Sequence, residues 1–301
     1  MAEHWRQRRE RGSRLAILLL AWIARRLGRR IARLILHPVV AYYLLAAPGA
    51  RAASRGYLRR VLRHEPGWRD VYRHLYCFAT SSLDQLYIHD GDNKTLSLSW
   101  HGYDAFDDQM NTGQGAILVL AHLGSFGILR GRGTSHVGAR LRVLMDRDAG
   151  ALTNAVFEAI DPELRERVID TSQDDVDRVL KVKAALDEGA LVGMMGDRCQ
   201  SGDRVADCEF LGSPAPFPLT PWLLAGLTRV PVLLVVALHR GGNHYALHFE
   251  KLCDAPVLPR AERNARMAEY AQSYADRLAH YARMAPYNWF NFYDFWRSCS
   301  N

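Results

Sequence analysis

The fold is decided by the stretch Gly115-Ala-Ile-Leu-Val-Leu-Ala-His-Leu-Gly-Ser-Phe-Gly-Ile-Leu-Arg130. Its apolar run, Ala116 to Ala121, is typical of a strand buried on both faces of a parallel sheet. The run ends at His122, and Gly124 then allows a tight turn. The apolar segment after the turn, Phe126 to Leu129, is interpreted as helical. His122 is therefore predicted to lie at the carboxyl end of a strand, where open α/β sheets usually bind ligands.

Two interpretations of His122 follow from this position. A lone histidine after a strand is more often a satisfied structural residue than a catalyst. As a catalyst, His122 would have a helix N-terminus beside it, with Ser125 as the N-cap. The N–H groups near Gly124 and Ser125 are then candidate donors to a developing oxyanion.

The motif around His122 resembles the first motif of the lysophospholipid acyltransferase superfamily, in which four residues separate a His from an Asp or Glu. It is most similar to the branch of late lipid A acyltransferases and their relatives in aryl-polyene and other lipid-pigment clusters. That branch is expected to read His-Leu-Gly-Ser-Phe-Glu, whereas the acidic position here is Gly127. The resemblance extends through short motifs in order from Arg11 to Trp296.

Composition and charge suggest two parts. The chain has 301 residues, of which 49% are hydrophobic and 24% charged, enough for one large α/β domain. Its net charge of +7 comes from arginines that recur between Arg6 and Arg73, whereas the remainder is nearly balanced. We expect a basic amphipathic arm at residues 1–50 and a single domain at 51–301. Nucleic-acid binding is disfavoured because long apolar runs separate the arginines of the arm.

The arm has two apolar runs, Leu15 to Ala24 and Ile31 to Pro48. Neither reaches the roughly 20 residues that span a bilayer. We therefore predict one or two helices lying in the membrane interface, with arginines near lipid phosphates and Trp22, Tyr42 and Tyr43 at headgroup depth. The alternatives are helices docked on the domain and a single tilted transmembrane helix.

Five scattered cysteines, with no Cys-x-x-Cys spacing, argue against a zinc site or a disulfide framework and fit a reducing cytoplasm. No convincing signal peptide is present. The sequence also lacks a P-loop, a dinucleotide fingerprint, a metal-ligand cluster and a Gly-x-Ser-x-Gly elbow. We therefore expect no metal and no cofactor.

Alternating helices and strands predict the fold class: α/β, with a mostly parallel central sheet flanked by helices and an N-terminal membrane-associated helical arm. Residues 51–88 are predicted to be helical, with a turn at His64–Gly67. Further helices are predicted at Tyr103–Asn111, Ala149–Ile160, Asp174–Asp187, Leu219–Leu227 and Arg260–Met284. Further strands are predicted at Leu96–Trp100, Arg140–Met145, Val168–Asp170, Ala190–Met195, Pro231–Leu238 and, as an edge strand, Tyr245–Phe249.

A base such as His122 works best when another group fixes its tautomer. The resemblance assigns this role to the acid of the motif, which Gly127 cannot fill. The candidates for a substitute are Asp146, Asp148, Glu158 and Asp197. Asp197 lies in Gly196-Asp-Arg198, directly after a buried strand, and this turn resembles a later motif of the branch. The alternative for Asp197 is a salt bridge within a loop.

The resemblance also implies residues that bind substrate. Arg147 and Asn154 match loosely a segment that carries an Arg and a downstream Asn. Arg198 and Arg204 are candidates to bind a phosphopantetheine phosphate or an anionic acceptor.

Two further segments have open interpretations. Phe210 to Pro218 is either a wall of an acyl groove, with Phe210 as a substrate-binding residue, or a rigid Pro-rich connector. The aromatic segment Pro286 to Trp296 is either core or a membrane-facing patch, and core is favoured.

Taken together, the resemblance implies an acyltransferase at the cytoplasmic face of the inner membrane, peripheral or single-pass. It would move an acyl group from an acyl carrier protein or coenzyme A thioester to a hydroxyl or amine of a lipid or glycolipid. His122 would be the base, and Asp197 would orient it. The alternative is a weak or inactive relative that binds acyl chains or scaffolds a lipid-synthesis complex, which the missing acid at Gly127 favours.

Overall fold

The computed structural model describes residues 14–89, 95–125, 127–128, 140–145, 167–170, 175–199 and 202–296. Its helices are α1 (Arg14–Ala46), α2 (Pro48–Leu62), α3 (Trp68–His89), α4 (Tyr103–Asn111), α5 (Asp175–Asp187), α6 (Thr220–Thr228) and α7 (Arg263–Met284). Its strands are β1 (Ser97–His101), β2 (Ala116–Leu120), β3 (Leu141–Met145), β4 (Val168–Asp170), β5 (Leu191–Met195), β6 (Val205–Phe210), β7 (Ser213–Pro218), β8 (Val232–Gly241) and β9 (His244–Cys253). The helix predicted at Ala149–Ile160 lies outside the described residues.

Seven strands form one sheet in the order β1-β9-β8-β2-β5-β3-β4. Every pair is parallel except β8 and β9, which form an antiparallel pair. The prediction of a mostly parallel sheet flanked by helices is confirmed. The prediction that β9 is an edge strand is wrong, because β9 lies between β1 and β8. An alternating sequence reports which face of a strand is buried, and it carries no information on whether both backbone edges are paired.

The core lies on both faces of the sheet, and β2 contributes to each side. Ile117 and Val119 belong to one buried cluster, whereas Ala116, Leu118 and Leu120 belong to the other. This division follows from the period of two along a strand. It explains why the β2 sequence is apolar at every position.

The Pro-rich segment from Phe210 to Pro218, interpreted as either a groove wall or a connector, contains the second strand of a hairpin. Strand β7 pairs antiparallel with β6, and Pro214, Pro216 and Pro218 stand opposite Glu209, Asp207 and Val205. Successive N–H groups of a strand point to opposite sides, so prolines at every second position all fall on the side away from β6. The ladder therefore loses no donor to the prolines.

The helix α1 bends at Gly28, whose φ of 83° and ψ of 168° are not helical. One side of α1 packs on α3, and this contact buries Ala24, Ala32, Leu36, Leu83, Leu86 and Tyr87. At its centre, Arg29 donates to both carboxylate oxygens of Asp84, at 2.6 and 2.7 Å. The Tyr245 hydroxyl of β9 donates to the same carboxylate at 2.7 Å. The helical arm is therefore docked on the domain through this side, as one of the alternatives anticipated.

The opposite side of α1, which we call the outer face, exposes large apolar side chains. They are Leu19, Trp22, Leu27, Ile31, Leu34, Tyr42 and Leu45. Within the described residues, no single helix combines the length and apolarity of a membrane span. The pair Leu19–Ala46 and Pro48–Leu62, bent by 95°, meets those criteria only when both helices are taken together.

The cysteines are not all reduced. Cys77, Cys208 and Cys253 are free thiols, whereas Cys199 is disulfide-bonded. Cys299 lies outside the described residues. The sequence argued against a disulfide framework, and one bonded cysteine is not a framework; it shows that spacing along the sequence does not report which sulfurs the fold brings together.

Replacing Arg29 with Ala is expected to lower the free energy of unfolding by about 3–5 kcal/mol, since it leaves the Asp84 charge buried without its cation. The Arg29 side chain is 11% exposed and that of Asp84 is fully buried. Urea denaturation followed by circular dichroism measures the change. The matched control is Arg30→Ala, because Arg30 lies next in α1 and is exposed. Equal losses in the two variants would show that the buried pair has no special weight.

Candidate active site

The strand register brings His122 and Asp197 together. In the parallel pair of β2 and β5, Leu120 stands opposite Met195, and each strand is followed two residues later by one member of the pair. The Gly196 N–H donates to the Leu120 carbonyl at 2.9 Å and continues the ladder past the strand ends. Both side chains therefore lie at the carboxyl edge of the sheet, as predicted.

The two side chains are directly hydrogen-bonded. His122 Nδ1 lies 2.8 Å from Asp197 Oδ1, and the His122 backbone N–H donates to Oδ2 at 2.9 Å. Oδ2 also accepts from Trp289 Nε1 at 2.9 Å and from Asn291 Nδ2 at 3.2 Å. Asp197 is fully buried. Among the proposed substitutes for the missing acid, Asp197 therefore has the geometry to orient His122.

The protonation states follow from the surroundings of each group. Burial would raise the pKa of Asp197, but His122, the hydrogen-bond donors and Arg198 together lower it to about 2. Burial and the nearby Arg198 charge lower the pKa of His122 below its ordinary value of 6.5, although Asp197 opposes this shift. At neutral pH, Asp197 is therefore ionised and His122 is a neutral imidazole.

A neutral His122 that donates its Nδ1 proton to Asp197 carries a lone pair on Nε2. Within the described part of the chain, no hydrogen bond to that Nε2 is observed, and the side chain is 25% exposed. The arrangement is an imidazole oriented through Nδ1, with a partly exposed ring at the carboxyl edge of the sheet. It corresponds to the His–Asp portion of a catalytic triad.

Two glycines permit this approach of the chain segments. Gly124 has a φ of 77°, and a Cβ at this position would collide with the Ala237 carbonyl of β8. A Cβ at Gly196 would collide with Val119 and stand 3.1 Å from the Tyr274 ring. A side chain at Gly124 would push the turn after β2 away from β8, and a side chain at Gly196 would push the turn after β5 away from Val119 and Tyr274.

The backbone N–H groups predicted as oxyanion donors are already used inside the fold. The Gly124 N–H donates to the Asn288 carbonyl at 2.8 Å, and the Ser125 N–H donates to the Ala237 carbonyl at 2.9 Å. The predicted oxyanion role of Gly124 and Ser125 is therefore inconsistent with this structure. Sequence reasoning erred because the partners of both groups come from distant parts of the chain.

Ser125 also differs from its predicted role as an N-cap. Its side-chain oxygen is buried and has no hydrogen-bond partner among the described residues. Its carbonyl accepts from the Ile128 N–H at 3.2 Å, and residues 127–128 are helical. A helical turn therefore does begin after Ser125, without a side-chain cap.

The segment Asn288–Asn291, which we call the clamp, holds the His122 turn in place. The Phe290 N–H donates to the His122 carbonyl at 2.7 Å. The Asn288 side chain exchanges hydrogen bonds with the backbone of His239, at 2.7 and 3.2 Å. Trp289 and Phe295 are almost completely buried, which confirms the core interpretation of the aromatic segment.

The contribution of the clamp to the site was missed from sequence. The sequence feature that could have indicated it is the pair Asn288 and Asn291, which flank Trp-Phe inside an aromatic run. Buried amide groups need hydrogen-bond partners, and these two find theirs at His239, Asp197 and Arg198.

Arg198 forms hydrogen bonds to two residues of the clamp. Its Nε donates to Asn291 Oδ1 at 2.7 Å, and its terminal nitrogen donates to the Phe290 carbonyl at 3.1 Å. Its guanidinium also lies over the Tyr293 ring, 5.6 Å from the centroid. The Arg198 guanidinium, which was predicted to bind an anionic substrate, is therefore already hydrogen-bonded within the protein.

Phe210 is not an exposed groove residue. It is fully buried, and its ring lies 5.2 Å from that of Trp289, 5.5 Å from that of Phe217 and 5.8 Å from that of Phe295. Phe210 therefore belongs to the core in this structure, and its predicted contact with an acyl chain remains a prediction. Its Phe-Leu-Gly sequence ends β6 and packs against the clamp.

The Gln85 side chain of α3 occupies the space beside Gly127, the position where the motif carries its acid. A Cβ at Gly127 would stand 2.9 Å from Gln85 Oε1 and 3.0 Å from its Cδ. An acidic side chain at Gly127 would therefore have to displace Gln85. The other proposed acids, Asp146, Asp148 and Glu158, and the proposed substrate residues Arg147 and Asn154 lie outside the described residues.

Two cavities lie elsewhere in the described structure. The larger, of about 620 Å³, is lined by Arg204, Leu219 and Asn264 among others. The smaller, of about 340 Å³, shares Arg204 and Asn264 with it and adds Arg260 and Arg263. Neither is lined by His122 or Asp197. Within the ranges described above, no group of three or more His, Cys, Asp or Glu residues is arranged to hold a metal ion.

The fold and the site define a class: an α/β protein with an oriented His–Asp pair at the carboxyl edge of a parallel sheet. No protein-family model matches the chain, and no curated protein matches it significantly.

Asp197→Asn is expected to lower the pKa of His122 further, because Asp197 is the group that raises it. The measurement is an NMR titration of the His122 Cε1–H resonance, assigned by its loss in His122→Gln. The wild-type midpoint is expected below 6.5, and the variant midpoint lower still. The control is Asp254→Asn, since Asp254 is 90% exposed, and it is expected to leave the midpoint unchanged. A rise of the midpoint in Asp197→Asn contradicts the assigned electrostatics.

Proposed function

We propose that this chain is an acyltransferase in which His122 is the general base and Asp197 orients it. One observation carries the proposal: His122 donates Nδ1–H to a buried, ionised Asp197 at 2.8 Å and presents Nε2 at the carboxyl edge of the sheet. The resemblance of His-Leu-Gly-Ser-Phe to an acyltransferase motif supports the choice of reaction. The acceptor is a hydroxyl or amine of a lipid or glycolipid.

The proposed chemistry uses each part of the pair. His122 Nε2 accepts the proton of the hydroxyl or amine as that group attacks the carbonyl carbon of an acyl thioester. A C–O or C–N bond forms, the C–S bond breaks, and the proton passes from the imidazolium to the departing thiolate. Asp197 keeps the imidazole in the tautomer with a free Nε2 and stabilises the imidazolium that forms. The thioester is that of an acyl carrier protein or of coenzyme A, and no further cofactor is proposed.

The alternative, an inactive relative that binds acyl chains or scaffolds other enzymes, depended on the missing acid at Gly127. The contact between Asp197 and His122 weakens that ground, because it supplies an orienting carboxylate from another strand. An acid at position 127 is then unnecessary. It would also meet Gln85, which occupies the adjacent space.

Acyl transfer tests the proposal directly. Labelled acyl groups on an acyl carrier protein are offered with membrane lipid extract, and label entering lipid is measured. His122→Ala is expected to lose transfer by about 10²–10⁴-fold, and Asp197→Asn by up to about 10⁴-fold, because Asn stabilises the wrong tautomer. Gly127→Glu is expected to bring no gain, since Nδ1 already has its acceptor.

The control for this series is Asp254→Asn, which changes an exposed carboxyl of the same type, and circular dichroism checks that each variant is folded. Full transfer by His122→Ala would refute the base assignment. A large gain in Gly127→Glu would show that Asp197 does not replace the missing acid. Absence of transfer by the wild-type chain with any acyl length would favour the binding or scaffold alternative.

The outer face of α1 supports a location at the membrane surface, which we propose to be the cytoplasmic face of the inner membrane. This face carries large apolar side chains such as Trp22 and Tyr42, and the same helix exposes Arg25, Arg26 and Arg30. Amphipathic helices of this kind bind the interface by burying apolar area while their arginines lie near anionic headgroups. The docked side of α1 holds the domain against the bilayer in this arrangement.

A single charge on the outer face is expected to reduce membrane binding. Leu34 is 65% exposed there, and Val257 is 69% exposed on a loop outside α1, so Leu34→Glu and Val257→Glu are matched variants. We expect Leu34→Glu to lower the bound fraction on anionic vesicles about tenfold or more, because it removes buried apolar area and repels the surface. Vesicle flotation measures binding. Equal binding by both variants would exclude the outer face as the membrane contact. Deleting residues 1–50 is a poorer test, because it exposes the buried side of α3.

A further inference from the structure

A buried chain of hydrogen bonds connects the N-terminal helices with the His–Asp pair. The Ser54 side chain of α2 lies 2.8 Å from His74 Nδ1, and His74 Nε2 on α3 lies 2.8 Å from the Trp289 carbonyl oxygen. The indole N–H of Trp289 then donates to Asp197 at 2.9 Å. Ser54, His74, Trp289 and Asp197 are all fully buried. The mechanism proposed above uses neither Ser54 nor His74.

The direction of each bond follows from the chemistry of its ends. A carbonyl oxygen can only accept, so His74 Nε2 carries a proton and donates it to Trp289. His74 is neutral at pH 7, because burial lowers its pKa to about 4, and its Nδ1 therefore accepts from the Ser54 hydroxyl.

Trp289 occupies a position where small displacements matter. Its backbone forms an antiparallel bridge with Leu123, next to His122. Its ring lies 4.9 Å from Tyr57 and 4.8 Å from Phe295, centroid to centroid. The ring N–H is one of the donors that hold the Asp197 carboxylate. A shift of the Trp289 backbone would therefore move both the segment next to His122 and the indole N–H that donates to Asp197.

We propose that His74 is a positioning residue for the His122–Asp197 pair and acts through Trp289. It holds the Trp289 carbonyl, so that the indole N–H points at Asp197 and the clamp stays bonded to the His122 turn. His74 does not touch the reacting atoms. The role assigned to His74 rests on the proposed function, but its effect on the pair is measurable without any activity.

Four variants separate positioning from simple stability. His74→Leu removes both hydrogen bonds of the imidazole, whereas His74→Gln retains an N–H donor for the Trp289 carbonyl. Trp289→Phe keeps a ring and removes the N–H donated to Asp197. Its matched control is Trp222→Phe, because Trp222 is also almost completely buried, and its ring contacts are with Tyr270 and Tyr274 rather than with His122 or Asp197.

The readouts are NMR titrations of the Asp197 carboxyl carbon and of His122, with thermal unfolding alongside. Trp289→Phe is expected to raise the pKa of Asp197 by about 1, since the ionised carboxylate loses the hydrogen bond that the indole N–H donates to it. His74→Leu is expected to move it in the same direction, His74→Gln to restore it, and Trp222→Phe to leave it unchanged. Where transfer is measurable, His74→Leu is expected to lower kcat about tenfold with KM unchanged.

A merely structural His74 would give a different result. Then His74→Leu and Trp222→Phe would both lower the unfolding temperature, and neither would move the titrations of Asp197 and His122, which overturns the proposal. Should His74→Leu fail to fold, Ser54→Ala removes one hydroxyl and tests the same chain by the same titrations. Shifted titrations without any acyl transfer support the positioning role and count against the proposed function. Acyl transfer with unmoved titrations supports the proposed function and overturns the positioning role.

Discussion

The structure depends on the burial of one negative charge. Asp197 is fully inside the protein, where an ionised carboxylate is costly unless it is well hydrogen-bonded. Its donors are His122, Trp289 and Asn291. They come from the turn after β2 and from the C-terminal clamp, so the charge ties together segments that are far apart in the chain. The hydrogen bonds that satisfy the Asp197 carboxylate therefore also fix the position of His122.

A second buried carboxylate has the same effect on the N-terminal helices. Asp84 on α3 accepts from Arg29 on α1 and from Tyr245 on β9. Since α3 also carries His74, one helix contacts the arm, the sheet and the clamp. The helix proposed to contact the membrane therefore packs on α3, and α3 in turn contacts the residues around the proposed catalytic pair.

The register of β2 and β5 explains why Asp197 lies beside His122. An acid at position 127 would lie in the helical turn that follows the base, whereas Asp197 follows the neighbouring parallel strand. Because β2 and β5 are in register at Leu120 and Met195, a residue two positions past each strand end lies at the same height. Asp197 therefore reaches Nδ1 from the neighbouring strand and supplies the hydrogen-bond acceptor that fixes the tautomer of His122.

The sequence by itself determined the α/β class, most strand and helix positions, and the two strand ends that carry His122 and Asp197. Those features depend on local periodicity, and each is written in a window of a few residues. Tertiary structure alone decided that Asp197 contacts His122, that the N–H groups of Gly124 and Ser125 are occupied, and that Phe210 is buried. It also decided that β9 lies inside the sheet and that the clamp holds the pair. Each of these depends on partners from distant segments, and a sequence window carries no information on which distant segment will supply a partner.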